Sequence, residues 1–341
     1  MITSADILKI DQTFVHKAYE KWPEHFKKAS RISASADHDS DYYDSLVFCG
    51  VGGSGTNCDI LQDIVHYDSS VPSVVVKGGR IPQFTNKRTL AIVNSVSGNT
   101  KETISMMKAC SKAGAETVSL SSGGILKEEA ERLGAKHINI PNLSLPRASL
   151  PYLLMPSIRL ISPLLRNPPK TTQIHKSIKE TAKKVSIFTP YENNVAKQVA
   201  DFMEGGLAFC FTSPFFISAG TRFKNSLNEN SKLHCLRESI MEASHNEIVP
   251  FTFHNNFQSK VLLLSWIADS PEIVERFRRF KTLFKEIKQP FMQVIANEKS
   301  LFDAIVSSIY ILDYASIYMA VSRKIDPSPT PAIDIIKSLG R

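Results

Sequence analysis

The chain has 341 residues, enough for two average domains, and 43% of them are apolar, as in ordinary globular proteins. Lysine and arginine exceed aspartate and glutamate by 41 − 33 = 8, an excess that suits an anionic ligand. These basic residues are spread along the chain without a helix-turn-helix or an aromatic RNA-binding motif. The composition therefore argues against a nucleic-acid-binding protein.

Neither a secretory signal nor a membrane span is predicted. The first eight residues contain Asp6 and lack a long apolar run. The most apolar segment, residues 301–321, is interrupted by Asp303 and Asp313, which favours a buried helix. The five cysteines show no metal-ligand spacing: Cys49, Cys58, Cys110, Cys210 and Cys235. We therefore expect a cytoplasmic protein with reduced thiols, without a metal or other cofactor and without a membrane partner.

The first half of the chain has a regular pattern of strands and helices. Residues 1–40 are polar with two helix-like stretches, which predicts an N-terminal helical arm. After it, short apolar runs predict strands at 45–51, 73–78, 89–95, 117–122 and 137–141. Helices are predicted between and after them, at 56–66, 100–113, 125–133 and 149–165. Buried strands alternating with helices indicate a parallel sheet covered on both faces, in a first domain at 41–165.

The second half is less regular. Residues 166–173, "RNPPKTTQ", read as a linker because paired prolines stop a helix. Further strands are predicted at 207–213, 260–266 and 291–296, and helices at 174–186, 190–204, 270–286 and 300–323. We expect a second α/β domain at 174–341.

Two turns rich in glycine and serine carry the first functional signal. "GVGGSGT", residues 50–56, follows the first strand, and "SVSGNT", residues 95–100, follows the third. Ligands of open parallel sheets bind beyond the carboxyl ends of the strands. Small residues let a phosphate approach the amides of a helix N-terminus, and Ser95, Ser97 and Thr100 add hydroxyl donors. Each turn alone could be a helix N-cap, but two at one edge favour a phosphate site.

A dinucleotide site is an alternative, because Gly50, Gly52 and Gly55 match GxGxxG. The acidic residue expected after the second strand is missing, and Lys77 and Arg80 stand there instead. This disfavours NAD and leaves NADP open. A dehydrogenase, however, gives no reason for the second turn.

Three later residues are candidates for a functional role, but each also has a simple structural explanation. Arg147, in "LPRASLP", follows the fifth strand but could be a surface salt-bridge residue. Glu229, in "NSLNENSK", could belong to a polar loop. His245, in "ASHNEIVPF", could be an exposed histidine without a chemical role.

In this order and spacing, the chain resembles a known family. "GGSG", "SVSGNTKET", "PRASLPY", "NEN", "HNEI" and the ending "DPSPTPAIDIIKSLG" are similar to the bifunctional phosphoglucose/phosphomannose isomerases of the archaeal type. These form part of the sugar isomerase (SIS-domain) group within the phosphoglucose isomerase superfamily. The resemblance runs from about residue 44 to the end. It implies two SIS subdomains, each a doubly wound, flavodoxin-like parallel sheet, and a homodimer with active sites at the interface.

The resemblance also implies substrates and residue roles. The substrates would be hexose 6-phosphates, with glucose and mannose 6-phosphates converted to fructose 6-phosphate through an enediolate. Glu229 would be the base, Arg147 would lie beside the reacting carbons, and Thr330 would allow the C2 epimer, mannose 6-phosphate, to be accepted. His245 and Lys337 would exchange protons with the ring oxygen and the C1 hydroxyl. The phosphate-binding segments would contain Gly52, Gly53, Ser54, Ser95, Ser97 and Thr100.

Three other functions stay open at this point. A non-catalytic SIS sensor of phosphosugars would need an attached regulatory domain, for which residues 1–40 are too short. An NADP-dependent oxidoreductase would use the first turn alone. An SIS amidotransferase or aminosugar isomerase would need an ammonia source.

Overall fold

The computed structural model describes residues 2–253 and 258–339. It separates into two compact units. We call residues 21–176 with 300–302 the first unit, and residues 1–20, 177–299 and 303–341 the second unit. The predicted domain boundaries differ from this division and remain predictions.

The N-terminal residues form three short helices instead of the two that were expected. They are α1 (Ser4–Ile10), α2 (Val15–Glu20) and α3 (Trp22–Ala29). Thr3 and Asp6 close a capping box at the start of α1. Helices α1 and α2 belong to the second unit and α3 to the first, so residues 1–40 do not form a unit of their own.

The first unit is built on a five-stranded parallel sheet in the order β2-β1-β3-β4-β5. β1 and β3 are buried along their whole length because they lie in the centre of the sheet. The strands are β1 (Ser45–Cys49), β2 (Ser73–Val76), β3 (Thr89–Asn94), β4 (Glu116–Ser121) and β5 (Lys136–Asn139). The helices are α4 (Gly53–Asp68), α5 (Lys101–Lys112), α6 (Gly124–Leu133) and α7 (Leu150–Ile161).

The second unit contains a four-stranded parallel sheet in the order β7-β6-β8-β9. Its strands are β6 (Leu207–Thr212), β7 (Cys235–Ser239), β8 (Ser259–Trp266) and β9 (Phe291–Ala296). The helices from the connection onward are α8 (Thr171–Val185), α9 (Val195–Met203), α10 (Ile217–Ser226), α11 (Ile240–Ala243), α12 (Pro271–Glu286), α13 (Leu301–Ser322) and α14 (Pro331–Leu339). The predicted fold class, two parallel sheets flanked by helices, is confirmed.

The elements missed in the second half include β7 and α10. β7 is an edge strand with the sequence "CLRES", so it lacks the continuous apolar run of a central strand. α10 contains Gly220, whose missing Cβ leaves room for Thr212 on β6; an added Cβ would lie 2.6 Å from Thr212 Cγ2. The close packing of α10 on β6 therefore explains why α10 contains a glycine, a residue of low helix propensity.

Helix α13 is the one described helix long and apolar enough to cross a membrane, and 94% of its most apolar window is buried inside the protein. The prediction of a buried helix is confirmed. Its two aspartates, Asp303 and Asp313, are also buried.

Candidate functional site

The two glycine- and serine-rich turns lie side by side in the first unit. β1 and β3 are neighbours in the sheet, and each turn leaves the carboxyl end of one of these strands. The strand order reverses at this point, since β2 lies on one side of β1 and β3 on the other. Such a switch point is the usual ligand crevice of a doubly wound sheet. Ser54 Oγ joins the turns by accepting a hydrogen bond from Val96 N at 3.3 Å.

The first turn needs its glycines for packing and for backbone conformation. An added Cβ on Gly50 would lie 2.9 Å from the Ser54 carbonyl, and one on Gly55 would lie 3.0 Å from Gly50 O. Gly52, the N-cap residue of α4, has a φ of 60°. The GxGxxG pattern is therefore explained by close contact between the turn and α4. Lys77, which could have met an NADP phosphate, pairs with Asp59 at 2.6 Å.

The second turn gathers the predicted hydroxyls. Ser95 is 2% exposed, and its Oγ lies 3.1 Å from Thr100 Oγ1 and accepts Gly98 N at 3.1 Å. The exposed Ser97 accepts Asn99 N through its Oγ at 3.3 Å. Thr100 is the N-cap residue of α5, with its hydroxyl directed to Ser95 instead of capping the helix. The turn thus presents hydroxyls at the start of a helix, where a phosphate is attracted.

A third turn, after β4, supports the second and was not singled out from the sequence. Ser122 bonds Val96 O through both its N–H (3.0 Å) and its Oγ (2.7 Å). Gly98 O accepts Leu126 N at 2.8 Å. An added Cβ on Gly98 would lie 1.8 Å from Gly123 O, so the two turns touch through their backbones. "SSGG" at 121–124 was the available signal, because it is a third glycine- and serine-rich turn after a strand.

Arg147 lies in a short 3-10 helix, Pro146–Ser149, that follows β5 in the chain. Its side chain is half-buried. The fully buried Trp22 donates from Nε1 to Ala148 O at 3.0 Å, so α3 holds the turn that carries Arg147. The predicted phosphate-binding turns and Arg147 therefore belong to the same unit.

Glu229 lies in the second unit, on a π-helical turn, Leu227–Ser231, that continues α10. Short π-turns are frequent at functional sites. The two asparagines of NEN hold the turn: Asn228 Nδ2 donates to Leu233 O at 2.7 Å, and Asn230 Nδ2 to Ser316 Oγ at 2.8 Å. The polar-loop interpretation is therefore wrong in structure, because these residues extend a helix.

A buried charged group lies on the same helix and was not predicted from the sequence. Arg222 pairs with Asp313 at 2.9 Å and donates to Tyr19 Oη at 3.1 Å. Burial lowers the pKa of the Arg222 guanidinium, but the charges of Asp313, Tyr19 and Glu229 outweigh this effect and raise the pKa above its ordinary value. Arg222 is therefore a fixed positive charge within electrostatic reach of Glu229.

The segment after α13 reaches the turn of Glu229. Arg323 donates to Ser231 O, and Lys232 Nζ donates to Pro327 O at 3.1 Å and to Glu229 O at 2.6 Å. This segment leads to Thr330, whose carbonyl accepts Ile333 N at 3.0 Å at the start of α14. Lys337 belongs to α14, but its side chain lies outside the described part of the structure.

His245 is not brought to Glu229 within the second unit. The turn of Glu229 precedes the amino end of β7, whereas His245 follows its carboxyl end and α11. Five residues of β7 span roughly 16 Å, which places the two residues at opposite edges of the sheet. His245 is exposed, and its backbone N–H donates to Glu242 O at 2.9 Å.

The chain is similar in sequence to proteins of known activity. A family model for the C-terminal SIS domain of bacterial phospho-glucose isomerase matches residues 192–339. A bifunctional phosphoglucose/phosphomannose isomerase of Caldicellulosiruptor bescii is 29% identical over 328 residues, which cover 93% of this chain and 96% of that protein. An enzyme of the same name from Thermoplasma acidophilum is 28% identical over 297 residues, covering 86% of this chain and 89% of its own.

The fold also has solved relatives. The crystal structure of a hypothetical protein from Thermus thermophilus matches with a TM-score of 0.75 at 14% identity, covering 98% of this chain and 94% of that one. This match supports the two-sheet architecture.

Proposed function

We propose that the chain is a bifunctional phosphoglucose/phosphomannose isomerase that interconverts glucose, mannose and fructose 6-phosphates, because two enzymes of that name are 29% and 28% identical to it over most of its length. The observation that carries this proposal is the pair of joined turns at the switch point of the first sheet. Their serine and threonine hydroxyls and their two helix N-termini suit an esterified phosphate. A cytoplasmic location stays a prediction.

The phosphate is held by Gly52, Gly53, Ser54, Ser95, Ser97 and Thr100. Gly52 and Gly53 let the ester approach the backbone, since an added Cβ at either position would meet no atom within 4 Å. The space above these glycines is therefore available to a ligand. Phosphate contacts are made equally in the ground and transition states, so they set KM more than kcat.

The isomerisation moves a proton between C1 and C2 of the open-chain sugar. Glu229 acts as the base that takes this proton and returns it to the neighbouring carbon. Arg147 stabilises the negative charge that develops on the enediolate oxygen. A fixed cation of this kind in a water-poor site contributes about 3–4 kcal/mol to lowering the barrier, by analogy with single oxyanion-hole donors.

His245 and Lys337 open the sugar ring by exchanging protons with the ring oxygen and the C1 hydroxyl. Since His245 and Glu229 lie at opposite ends of β7, we infer that His245 serves the site of a second copy in a homodimer. Exposed apolar residues beside it, Val249 at 53% and Phe253 at 70%, support an interface there. Helix α14, which carries Lys337, also exposes Ile336 at 70%.

Acceptance of mannose 6-phosphate is assigned to Thr330. One base reaches both C2 epimers only if the intermediate rotates about its C2–C3 bond, and a small hydroxylated residue leaves room for this rotation. The half-buried Thr330 lies between the turn-contacting segment and α14, which supports this role.

The test is to supply fructose 6-phosphate to the purified full-length protein, treated with a chelator, and to follow both products. We expect glucose 6-phosphate and mannose 6-phosphate to form without added metal or nucleotide. Binding of fructose 6-phosphate without any product would indicate a phosphosugar sensor and would overturn the proposal.

A further inference from the structure

The buried Arg222–Asp313 pair in the second unit has no role in the chemistry described above. Arg222 is 3% exposed and Asp313 is fully buried, and Nε and Nη2 of the arginine both bond the carboxylate, at 3.0 and 2.9 Å. Removing two charges from water largely offsets their attraction, so a buried ion pair adds little net stability. Its position beside a catalytic candidate therefore calls for another explanation.

The pair is tied to the turn that carries Glu229. Asp313 accepts a hydrogen bond from Ser226 Oγ at 2.5 Å, on the last residue of α10 before the turn. One helical turn further along α13, Ser316 O accepts Ser231 Oγ at 2.6 Å. Helix α13 thus holds the π-turn on both sides of Glu229. A bidentate guanidinium also sets the rotation of α10, because its fork fits the carboxylate in one geometry.

The N-terminal segment completes this network. Tyr19 Oη accepts a hydrogen bond from Arg222 Nη2 at 3.1 Å, and Tyr19 O accepts one from Tyr310 Oη at 2.7 Å. A second buried tyrosine of α13, Tyr314, donates to His16 O at 3.2 Å without contributing to the Arg222–Asp313 bonds described here. Helix α2 is therefore fastened to α13 at two points, and the Tyr19 point bonds Arg222 directly.

We propose that Tyr19 and Arg222 are positioning residues for Glu229, so that the N-terminal segment, residues 3–20, sets the geometry of the catalytic base. This inference rests on the proposed isomerase function. It gives the N-terminal residues a role in turnover, whereas a purely structural role would affect only folding. Proton transfer is sensitive to displacements of about 1 Å, which can reduce rates by up to about 100-fold.

The test compares two tyrosine-to-phenylalanine variants of the full chain. Tyr19→Phe removes the hydroxyl that holds Arg222, and Tyr314→Phe removes a buried hydroxyl from the same α2–α13 contact as a matched control. We expect kcat for fructose 6-phosphate to fall about tenfold in Tyr19→Phe, with KM and the number of binding sites per chain unchanged. Tyr314→Phe should keep kcat within about twofold of the wild type.

A second variant and a second measurement test the same inference independently of the Tyr19→Phe kinetics. Arg222→Lys retains the charge but loses the bidentate fork, and we expect a larger fall in kcat than for Tyr19→Phe. Amide hydrogen exchange at residues 228–231 should accelerate about tenfold in Tyr19→Phe and stay unchanged in Tyr314→Phe.

Equal kcat values for the two tyrosine variants, or a change in KM alone, would overturn the inference. If the wild-type protein has no isomerase activity, the proposed function fails independently. Hydrogen exchange then decides the positioning role: unchanged exchange at residues 228–231 in Tyr19→Phe would refute it.

Discussion

At the scale of single residues, the two predicted phosphate-binding turns, 50–56 and 95–100, require glycines without side chains as well as serine and threonine hydroxyls. Gly98 has a φ of 71°, and its Cα approaches the backbone of Gly123 so closely that no side chain fits. The sequence pattern "SGNT" indicated a ligand-binding turn. It could not show that the neighbouring turn at Gly123 leaves no room for a side chain at position 98. The contact joins residues 25 positions apart, which local sequence patterns do not reveal.

Gly98→Ala should therefore damage substrate binding. The new Cβ would lie 1.8 Å from Gly123 O, so the turn must move and Ser95 and Ser97 must move with it. We expect KM for fructose 6-phosphate to rise at least about tenfold, measured by steady-state kinetics.

Gly134→Ala is the matched control for this variant. Gly134 has a similar φ of 66°, but an added Cβ would meet no atom within 4 Å. It should lose about 1 kcal/mol of stability, the typical cost of a left-handed conformation, and keep its KM. A similar rise in KM in both variants would contradict the role given to the contact between turns.

At the scale of elements, the central strands were predictable and the elements around Glu229 were not. β1, β3 and β8 are continuous buried runs, for which apolar composition is sufficient evidence. β7 and α10 depend on tertiary packing, because their residues are polar or small. The π-turn that holds Glu229 is stabilised by Ser316 of α13, 85 residues or more away in sequence. Long-range hydrogen bonds of this kind leave no local periodicity.

The packing of α3 on α7 predicts a dependence of stability on pH. Burial lowers the pKa of His25, and its ring lies 5.2 Å from the ring of Tyr152 on α7. The unfolded chain therefore binds a proton more readily than the folded chain. Stability from the neutral imidazole is fully present above the unfolded pKa of about 6.5 and is lost as the pH falls from there through the lower folded pKa.

Thermal unfolding of the wild type between about pH 5 and 8 should show this loss on the acid side. His25→Gln should reduce the slope of stability against pH in that range, whereas His234→Gln, at an exposed position, should leave it unchanged. An unaltered slope in His25→Gln would show that other groups cause the acid sensitivity.

At the scale of the whole molecule, the chain contains two sheets of similar strand order whose switch points carry different side chains. The second sheet repeats the order of the first four strands of the first sheet. Its switch point lies between β6 and β8, where the half-buried Asp269 accepts hydrogen bonds from Ser213 Oγ at 2.5 Å and from Trp266 N at 2.8 Å. Burial raises the pKa of Asp269. The second sheet has a carboxyl group at its switch point, where the first sheet has serine hydroxyls. We therefore expect phosphate to bind at the first sheet and not at the second.

The two units also contain different groups of candidate site residues. Of the residues in the proposed function, the phosphate-binding turns and Arg147 belong to the first unit, and Glu229 belongs to the second. Sequence motifs singled out the turns, Arg147 and Glu229 as candidates because these motifs are short and local, but they did not reveal the buried Arg222–Asp313 pair. Patterns could not show that Glu229 and His245 lie at opposite ends of β7, since that separation depends on the path of the chain through the second sheet.

In the proposed mechanism one carboxylate, Glu229, moves the proton for both sugar epimers. The most direct measurement is kcat of Glu229→Gln with glucose 6-phosphate and with mannose 6-phosphate, together with the Kd for fructose 6-phosphate. Glu192→Gln, at an exposed carboxylate of the same unit, is the control. We expect both kcat values to fall at least about 100-fold in Glu229→Gln while the Kd stays within about twofold. Survival of either activity, or loss of fructose 6-phosphate binding, would contradict it.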